Sequence, residues 1–312
     1  MTSHAGTHPA GIARRLAPSL PAALFDLSRG KQALLTIAQP ALGVVLALGG
    51  LPAWRVIAIG LPAACAGSFA MYALNDLLDR DVDARSVAEG RVRTEGDMDT
   101  AFVRHPVAHG VLSVRASVIW VAGLAALAAV GVALLNPLCL VFFAAAVALQ
   151  VLYCALRSVT YWKTLAEGAM EGCGGLAGWV AVAPLGRGAL AVFVFLACWE
   201  IGGRNIAHDL SDLESDVAVG IRTVAVVRGE RVAAEVTAVM AAATLVAVTL
   251  LPMPLPAVFL ALAFGVWSLA LPAVALLRRP TPAQALAYFN RGSLYPDLVL
   301  VAALLGMALA RL

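Results

Sequence analysis

The chain has 312 residues, of which 61% are hydrophobic and only 13% are charged. This composition excludes an ordinary water-soluble domain and predicts an integral membrane protein. The net charge of +3 carries little information by itself, and we expect no nucleic-acid partner. The five cysteines lie in apolar segments without a Cys-x-x-Cys pair. We therefore interpret them as small core residues and not as disulfides or metal ligands.

Nine apolar runs are long enough to cross a hydrocarbon layer of about 30 Å. They lie near residues 32–51, 55–78, 113–135, 138–157, 162–184, 189–208, 232–252, 256–277 and 294–311. Residues 1–28 are of mixed polarity and lack the apolar core of a signal peptide, so we expect a cytoplasmic tail with no cleaved leader. We expect residues 29–312 to form a single transmembrane domain.

The positions of the basic residues predict the orientation in the membrane. With the N-terminus inside, every Lys and Arg except Arg55, Arg187 and Arg311 falls on the cytoplasmic side. The positive-inside rule therefore predicts a multi-pass protein of the cell inner membrane, with the N-terminus in and the C-terminus out.

Two acidic clusters follow apolar runs. Asn75, Asp79 and Asp83 recur every four residues, which gives one polar stripe if the second span continues as a helix, and Asp76 stands beside that stripe. The second cluster has helical spacing at the end of the sixth span. It consists of Asp209, Asp212 and Asp216.

Both clusters are expected at cytoplasmic helix C-termini, where the helix dipole disfavours carboxylates. Two like charges 4 Å apart cost roughly 1 kcal/mol in water and about 4 kcal/mol at an effective dielectric constant of 20. The clusters therefore require cations, and we expect the fold to hold them face to face. The polar loop over residues 84–110 is expected to form a short amphipathic cap over the site.

Carboxylates and an amide, without a nearby Cys or His pair, suit Mg²⁺. The predicted metal ligands are Asn75, Asp76, Asp79, Asp83, Asp209, Asp212 and Asp216. Because Mg²⁺ is usually shared with substrate phosphates, two such half-sites are suited to a diphosphate. Basic residues interleaved with the acids are predicted to bind the remaining phosphate oxygens together with Asn75. They are Arg80, Arg157, Lys163, Arg204 and Arg222. An amphiphile with a diphosphate head and a hydrocarbon tail matches this site.

The two clusters also resemble known motifs. Asn75-Asp76-x-x-Asp79-x-x-x-Asp83 matches the first aspartate-rich motif of the UbiA superfamily of intramembrane prenyltransferases, and the segment from Arg204 to Thr223 resembles the second. The agreement extends to Arg104-His105-Pro106, to Tyr161-Trp162-Lys163 and to the nine-helix layout. One departure is Asn205, where many members carry Glu.

The resemblance implies an all-α membrane fold in which nine helices surround a central cavity under a cytoplasmic cap. It also implies that a prenyl diphosphate binds through Mg²⁺, ionises to an allylic cation and alkylates a small acceptor, often an aromatic ring. Among the residues carried over, we assign the catalytic role to Asp79, Asp83, Asp212, Asp216 and Lys163.

Several polar residues at membrane depth have two interpretations. Glu167, Glu171 and Glu200 are costly there, and one of them either orients the acceptor or takes its proton. His208 either tunes Asp209 or is a hydrogen-bonded bystander. Gly168, Gly172, Gly175 and Gly178 in the fifth span follow small-residue spacing and indicate close helix packing.

Two alternative functions remain at this stage. A membrane terpene cyclase would keep the fold and the ionisation but use no acceptor. An ion-coupled transporter would place its acids in broken helices near the middle of the bilayer, whereas these acids lie at one surface.

Overall fold

The computed structural model describes residues 18–90 and 100–310, and within these ranges the regular elements are all helices. They are α1 Leu20–Leu27, α2 Gly30–Thr36, α3 Ala38–Leu48, α4 Trp54–Ala88, α5 Val114–Leu135, α6 Leu138–Leu156, α7 Lys163–Val180, α8 Arg187–Cys198, α9 Ile206–Ser211, α10 Leu213–Val219, α11 Val224–Arg228, α12 Glu230–Val248, α13 Leu255–Gly265, α14 Leu271–Arg278, α15 Pro282–Gly292 and α16 Tyr295–Leu309. π-Helical segments, Trp199–Asn205 and Val266–Ala270, join α8 to α9 and α13 to α14. Residues 1–17 of the predicted tail, Arg311 and part of the predicted cap loop lie outside the described residues.

Eight helices in the described ranges are long and apolar enough to cross a membrane. They are Gly30–Leu48, Trp54–Ala88, Val114–Leu135, Leu138–Leu156, Arg187–Ser211, Glu230–Val248, Leu255–Arg278 and Pro282–Leu309. The predicted fifth span is a helix of 18 residues, α7, but it contains Lys163, Glu167 and Glu171 and does not qualify by composition. The multi-pass architecture is confirmed, whereas the count of nine spans is not.

The helices pack around a central space. Consecutive long helices from α4 to α8 are neighbours, and α3 closes the arrangement by packing against α7, α8 and α16. The short helix α1 lies in the stretch predicted as a tail, yet it contacts α4 and α5. The stretch between the last two predicted spans, residues 278–293, contains the helix α15. The final span therefore begins well before residue 294.

Helix α4 is 35 residues long and continues through the first acidic motif to Ala88. About 20 residues suffice to cross the hydrocarbon layer, and the motif begins 21 residues after Trp54. The helix therefore carries Asn75, Asp79 and Asp83 on one face beyond its apolar part, as the sequence predicts.

The second acidic motif is not on one continuous helix. α9 ends at Ser211 and α10 begins at Leu213, because Asp212 leaves the helical conformation with φ −102° and ψ 16°. The prediction of uninterrupted helical spacing is thus wrong for Asp209, Asp212 and Asp216. The N–H of Asp212 bonds to the carbonyls of both His208 and Asp209, which tightens the last turn of α9.

The glycines of α7 allow close packing, as predicted. A Cβ on Gly178 would lie 1.9 Å from the carbonyl oxygen of Pro40 in α3. On the neighbouring faces, a Cβ on Gly172 would meet the ring of Phe193, and one on Gly175 would meet Leu196 of α8. The absence of side chains at these positions lets α3 and α8 approach α7 directly.

We expect Gly178→Ala to destabilise the fold, because the new methyl group overlaps the backbone of Pro40. Overpacking of this kind typically costs about 1–3 kcal/mol, which lowers the thermal midpoint of the detergent-solubilised protein. Tryptophan fluorescence during heating measures it. Gly123→Ala in α5 is the matched control, since its Cβ has no neighbour within 4 Å. Equal midpoints for the two variants would contradict this packing.

Candidate active site

A cavity of about 490 Å³ lies between the helices. Along α4 its lining runs from Val56 near the start of the helix to Ser86 near the end. The end reached by Val56 is lined by apolar side chains such as Val132, Leu135 and Phe142. The opposite end, called the polar end here, contains the acidic residues of both motifs and several basic residues. These polar-end residues are Arg29, Asn75, Asp79, Asp83, Arg104, His105, Arg157, Lys163, Asp209, Asp212 and Asp216.

The first motif places Asp79 between two partners. Asn75 Nδ2 donates to Asp79 Oδ2 at 3.0 Å and also contacts Cys154 Sγ at 3.3 Å. Arg157, which follows α6, donates from Nη1 to Asp79 Oδ1 at 2.9 Å. Arg157, a predicted diphosphate-binding residue, therefore contacts Asp79, a predicted metal ligand.

His105 joins the other two acids of this motif. Its Nδ1 lies 3.0 Å from Asp76 Oδ1 and 3.0 Å from Asp83 Oδ2. Burial favours the neutral ring, but the hydrogen bonds and charges of the two carboxylates outweigh it and raise the pKa of His105 to about 9. The residue has φ 53°, a left-handed conformation that non-glycine residues rarely adopt. Because the ring is protonated at neutral pH, it compensates the charges of Asp76 and Asp83.

The loop that carries His105 is anchored to α1. The buried carboxylate of Asp26 accepts backbone N–H groups from Ala101 at 2.9 Å and from Phe102 at 2.6 Å, and it also accepts the N–H of Val103. Within the predicted amphipathic cap, residues 84–88 continue α4, and residues 100–110 are non-helical. The Asp26 carboxylate accepts backbone N–H groups that would bond to carbonyl oxygens in a helix.

The second motif is paired in the same manner as the first. Lys163, at the start of α7, donates to both carboxylate oxygens of Asp209 at 3.3 and 3.2 Å. Arg104 donates to Asp212 Oδ2 at 3.1 Å. Asp216 is buried, and its Oδ2 has no hydrogen-bond partner in the described structure. Burial and the charge of Asp209 raise the pKa of Asp216 above its usual range.

The two motifs meet directly. Ser86 in the last turn of α4 and Ser215 in α10 share a hydrogen bond of 3.2 Å. The predicted face-to-face arrangement is therefore present: Asp79 and Asp83 line the same cavity end as Asp212 and Asp216.

Arg204 occupies a different position from that predicted. Its Nε lies 3.1 Å from Glu200 Oε2, and its Nη1 donates to Tyr72 Oη at 2.7 Å. The π-helical segment Trp199–Asn205 carries both members of this ion pair, and π-bulges of this kind are frequent at functional sites. Arg204 lines the cavity, but its charge is already matched by Glu200.

Three predicted site residues lie outside the described lining of the main cavity. Asp76 faces His105 on the neighbouring side of α4. Arg80 is one residue round the helix from Asp79, and its Nη1 donates to the carbonyl of Leu77 at 3.0 Å. The side chain of Arg222 is exposed, while its backbone N–H donates to the carbonyl of Arg157 at 2.7 Å. Arg80 and Arg222 are thus outside the described cavity lining, and their binding of diphosphate stays a prediction.

Several residues that line the cavity have no site role predicted from the sequence. They are Arg29, Tyr72, Arg104, His105 and Tyr153. Arg104 and His105 had a signal, since Arg104-His105-Pro106 agrees with the family pattern. Arg29, Tyr72 and Tyr153 belong to no motif that distinguishes them from other basic or aromatic residues of the chain.

Comparison with known proteins identifies the family. A family model described as the UbiA prenyltransferase family matches residues 37–295. The chain belongs to the UbiA prenyltransferase family. It is therefore a prenyltransferase, and its long apolar helices make it a multi-pass membrane protein.

Individual relatives agree with this family. The chain is 28% identical over 228 residues to a digeranylgeranylglyceryl phosphate synthase of Thermococcus gammatolerans. The aligned region covers 72% of this chain and 76% of the relative. A UbiA homolog from Archaeoglobus fulgidus bound to DMAPP and Mg²⁺ matches the fold with a TM-score of 0.66 and 18% identity, covering 90% of this chain and 98% of that one. The apo structure of a UbiA homolog from Aeropyrum pernix K1 gives the same values.

The donor set at the polar end fits Mg²⁺. It consists of carboxylates and one amide oxygen, the ligand types that this ion prefers. Buried oxygens of Asp76 and Asp216 lack hydrogen-bond partners in the described chain.

We expect Asp26→Ala to release the loop at residues 101–103, because three backbone N–H groups lose their shared acceptor. Leaving a buried polar group unsatisfied typically costs about 1–3 kcal/mol. Hydrogen–deuterium exchange should accelerate at these amides while the core helices remain protected. Glu214→Ala, which also removes an acid but from the exposed side of α10, is the control. Unchanged exchange in Asp26→Ala would contradict the anchoring role.

Proposed function

We propose that this prenyltransferase is Mg²⁺-dependent, ionises a prenyl diphosphate at the polar end of the cavity and transfers the prenyl group to a small-molecule acceptor. The observation that carries the proposal is that both acidic motifs line one end of a single cavity whose other end is apolar. A diphosphate head and a hydrocarbon tail match these two ends.

The ion pairs of the polar end support an exchange of partners on substrate binding. Asp79, Asp83, Asp209 and Asp212 are each matched by a cation, namely Arg157, His105, Lys163 and Arg104 in that order. The carboxylates would hold the metal ion and the basic residues would hold the diphosphate, so that every charge would keep a partner. The proposed metal ligands are Asn75, Asp76, Asp79, Asp83, Asp209, Asp212 and Asp216.

Asn75, Arg157 and Lys163 are proposed to bind the diphosphate, joined by Arg104 and His105. Bound Mg²⁺ would supply Lewis-acid stabilisation of the departing diphosphate. The cations act in the same direction, because they are positioned before charge develops on the leaving group. Lys163 is fixed for this role by Tyr153, whose hydroxyl oxygen lies 2.8 Å from Nζ.

The apolar end is suited to the hydrocarbon tail. Its lining comes from α3, α4, α5 and α6, and includes Val45, Leu61, Ala128 and Phe143. A lining made mainly of apolar side chains limits the access of water to an allylic cation, which would otherwise be quenched.

Transfer to an acceptor is favoured over self-closure as a terpene cyclase. The matched relative from Thermococcus gammatolerans is a digeranylgeranylglyceryl phosphate synthase, a name that implies prenyl groups joined to a second molecule. Polar side chains deeper in this cavity, including Glu167 and Asn205, are also better suited to a polar acceptor than to a hydrocarbon alone.

We place the protein in the cell inner membrane with the N-terminus inside and the C-terminus outside. The distribution of Lys and Arg supports this orientation. Residues 29–312 are proposed to be one transmembrane domain, and the packing of α1 on α4 and α5 brings part of the preceding stretch into contact with it.

We expect Asp79→Ala and Asp212→Ala each to lower Mg²⁺-dependent release of diphosphate from a prenyl diphosphate by at least roughly 10²-fold. Each change removes a proposed oxygen ligand and breaks one ion pair, with Arg157 or with Arg104. Diphosphate release is measured with purified protein in nanodiscs.

Asp81→Ala is the control for charge, because Asp81 is on α4 but 78% exposed and lies 3.5 Å from Arg80. It should retain nearly full activity. Full activity in Asp79→Ala or Asp212→Ala would reject the proposed function.

A further inference from the structure

Helix α7 presents a polar stripe to the cavity. Lys163, Glu167 and Glu171 are spaced by one turn, and all three line the cavity. Lys163 is at the polar end, so Glu167 lies one turn deeper and Glu171 two turns deeper. The stripe therefore extends from the proposed diphosphate residues toward the apolar end.

The hydroxyl of Tyr153 has a defined hydrogen-bonding role at this depth. Its oxygen accepts from Lys163 Nζ at 2.8 Å and from Asn205 Nδ2 at 3.1 Å. An ammonium group and an amide nitrogen can only donate, so these bonds use both acceptor positions of the hydroxyl. The hydroxyl hydrogen of Tyr153 is therefore available to a further acceptor.

Two acceptor atoms near Tyr153 lack a donor. Asn205 Oδ1 and Glu167 Oε2 are buried, and neither has a hydrogen-bond partner in the described structure. Each residue is only 8% exposed, and both line the cavity. Buried acceptors normally find a donor because leaving them unpaired is costly.

A hydroxyl group complements this arrangement. It can accept the hydrogen of Tyr153 and donate its own hydrogen to Glu167 or Asn205. We propose that Glu167 is the proton acceptor for a hydroxyl-bearing acceptor substrate, whose hydroxyl is held by Tyr153 in the cavity below the diphosphate residues. This inference rests on the proposed prenyl transfer and identifies the chemical class of its acceptor.

The proposed step balances as follows. The bond between prenyl C1 and the diphosphate oxygen breaks, and its electron pair leaves with the diphosphate. A new bond forms between prenyl C1 and the acceptor oxygen, while the hydroxyl proton passes to the carboxylate of Glu167. The products are a prenyl ether, diphosphate and protonated Glu167, which returns its proton to water as the products leave.

The other buried acids are less suited to this role. Glu200 is already paired with Arg204 at 3.1 Å. Glu171 lies one turn further from Lys163 and hence from the proposed leaving group. Asp216 also has an unpaired carboxylate oxygen, but it is a proposed metal ligand. Among the described cavity acids outside the two acidic motifs, Glu167 combines such an oxygen with a position one turn from Lys163.

The test uses full-length protein in nanodiscs with Mg²⁺ and geranyl or geranylgeranyl diphosphate. Two hydroxyl probes are offered, 4-hydroxybenzoate as a phenol and geranylgeranylglyceryl phosphate as an alcohol, and 4-methoxybenzoate serves as the analogue without a hydroxyl. Diphosphate and prenylated acceptor are quantified in the same sample by mass spectrometry. Their ratio reports coupling of ionisation to transfer, independently of the amount of folded protein.

For the wild type we expect an ether product with at least one hydroxyl probe and none with 4-methoxybenzoate. Glu167→Gln should lower the rate of ether formation roughly 10²-fold. For each diphosphate released, this variant should form less ether and more of the prenyl alcohol that results from reaction with water. Glu171→Gln is the matched control, since it makes the same substitution on the same face of α7, and its coupling ratio should stay within twofold of the wild type.

Tyr153→Phe should raise KM for the hydroxyl probe, because it removes the donor that orients the hydroxyl. Coupling in Glu167→Gln equal to that of Glu171→Gln would overturn the inference. So would a wild type that releases diphosphate but transfers to neither hydroxyl probe, or that alkylates a ring carbon of either benzoate. A wild type that releases no diphosphate would instead reject the proposed function.

Discussion

Compensation of buried carboxylates by cations is the interaction on which the site depends. Two acidic motifs converge at one end of a cavity in a membrane protein, where their mutual repulsion is only weakly screened. The structure resolves this conflict by giving each of four acids its own basic partner, drawn from different parts of the chain. These pairs also connect α4, α7 and the loop before α5. The same contacts therefore compensate the charges and hold the parts of the site together.

Buried ion pairs of this kind contribute little net stability, because desolvation offsets most of the attraction, although removal of one partner costs about 3–5 kcal/mol. Such pairs are nevertheless suited to a site that must accept both a cation and an anion. In the proposed function, the carboxylates and the basic residues exchange partners with a metal ion and a diphosphate without leaving a bare charge. The ligand-free arrangement thus resembles the charge distribution that the bound state requires.

The cavity is graded in polarity along its length. Charged residues lie at one end, uncharged or unpaired polar groups around Tyr153 and Glu167 lie below them, and apolar side chains line the remainder. This order separates the leaving group from the hydrocarbon tail and places polar atoms between them. Helix packing makes the gradient possible, since the glycines of α7 bring α3 and α8 close while its polar stripe faces the interior.

Much of this organisation follows from the sequence. Composition and apolar run length determine that the chain is a bundle of membrane helices, because only helices satisfy the backbone within lipid in such a sequence. The four-residue spacing of Asn75, Asp79 and Asp83 predicts their common face, since α4 runs without interruption through the motif. The two motifs together were sufficient to predict one shared site.

Other features were decided only by tertiary structure. Asp212 interrupts the helix that its spacing predicts, and the π-helical turn pairs Arg204 with Glu200. Arg80 and Arg222 are close to the motifs in sequence but project elsewhere, whereas Arg104 and His105 reach the acids from a separate loop. Local spacing specifies which side chains share a helix face. The partner that neutralises each buried charge depends on contacts between distant segments, and these form only when the helices pack.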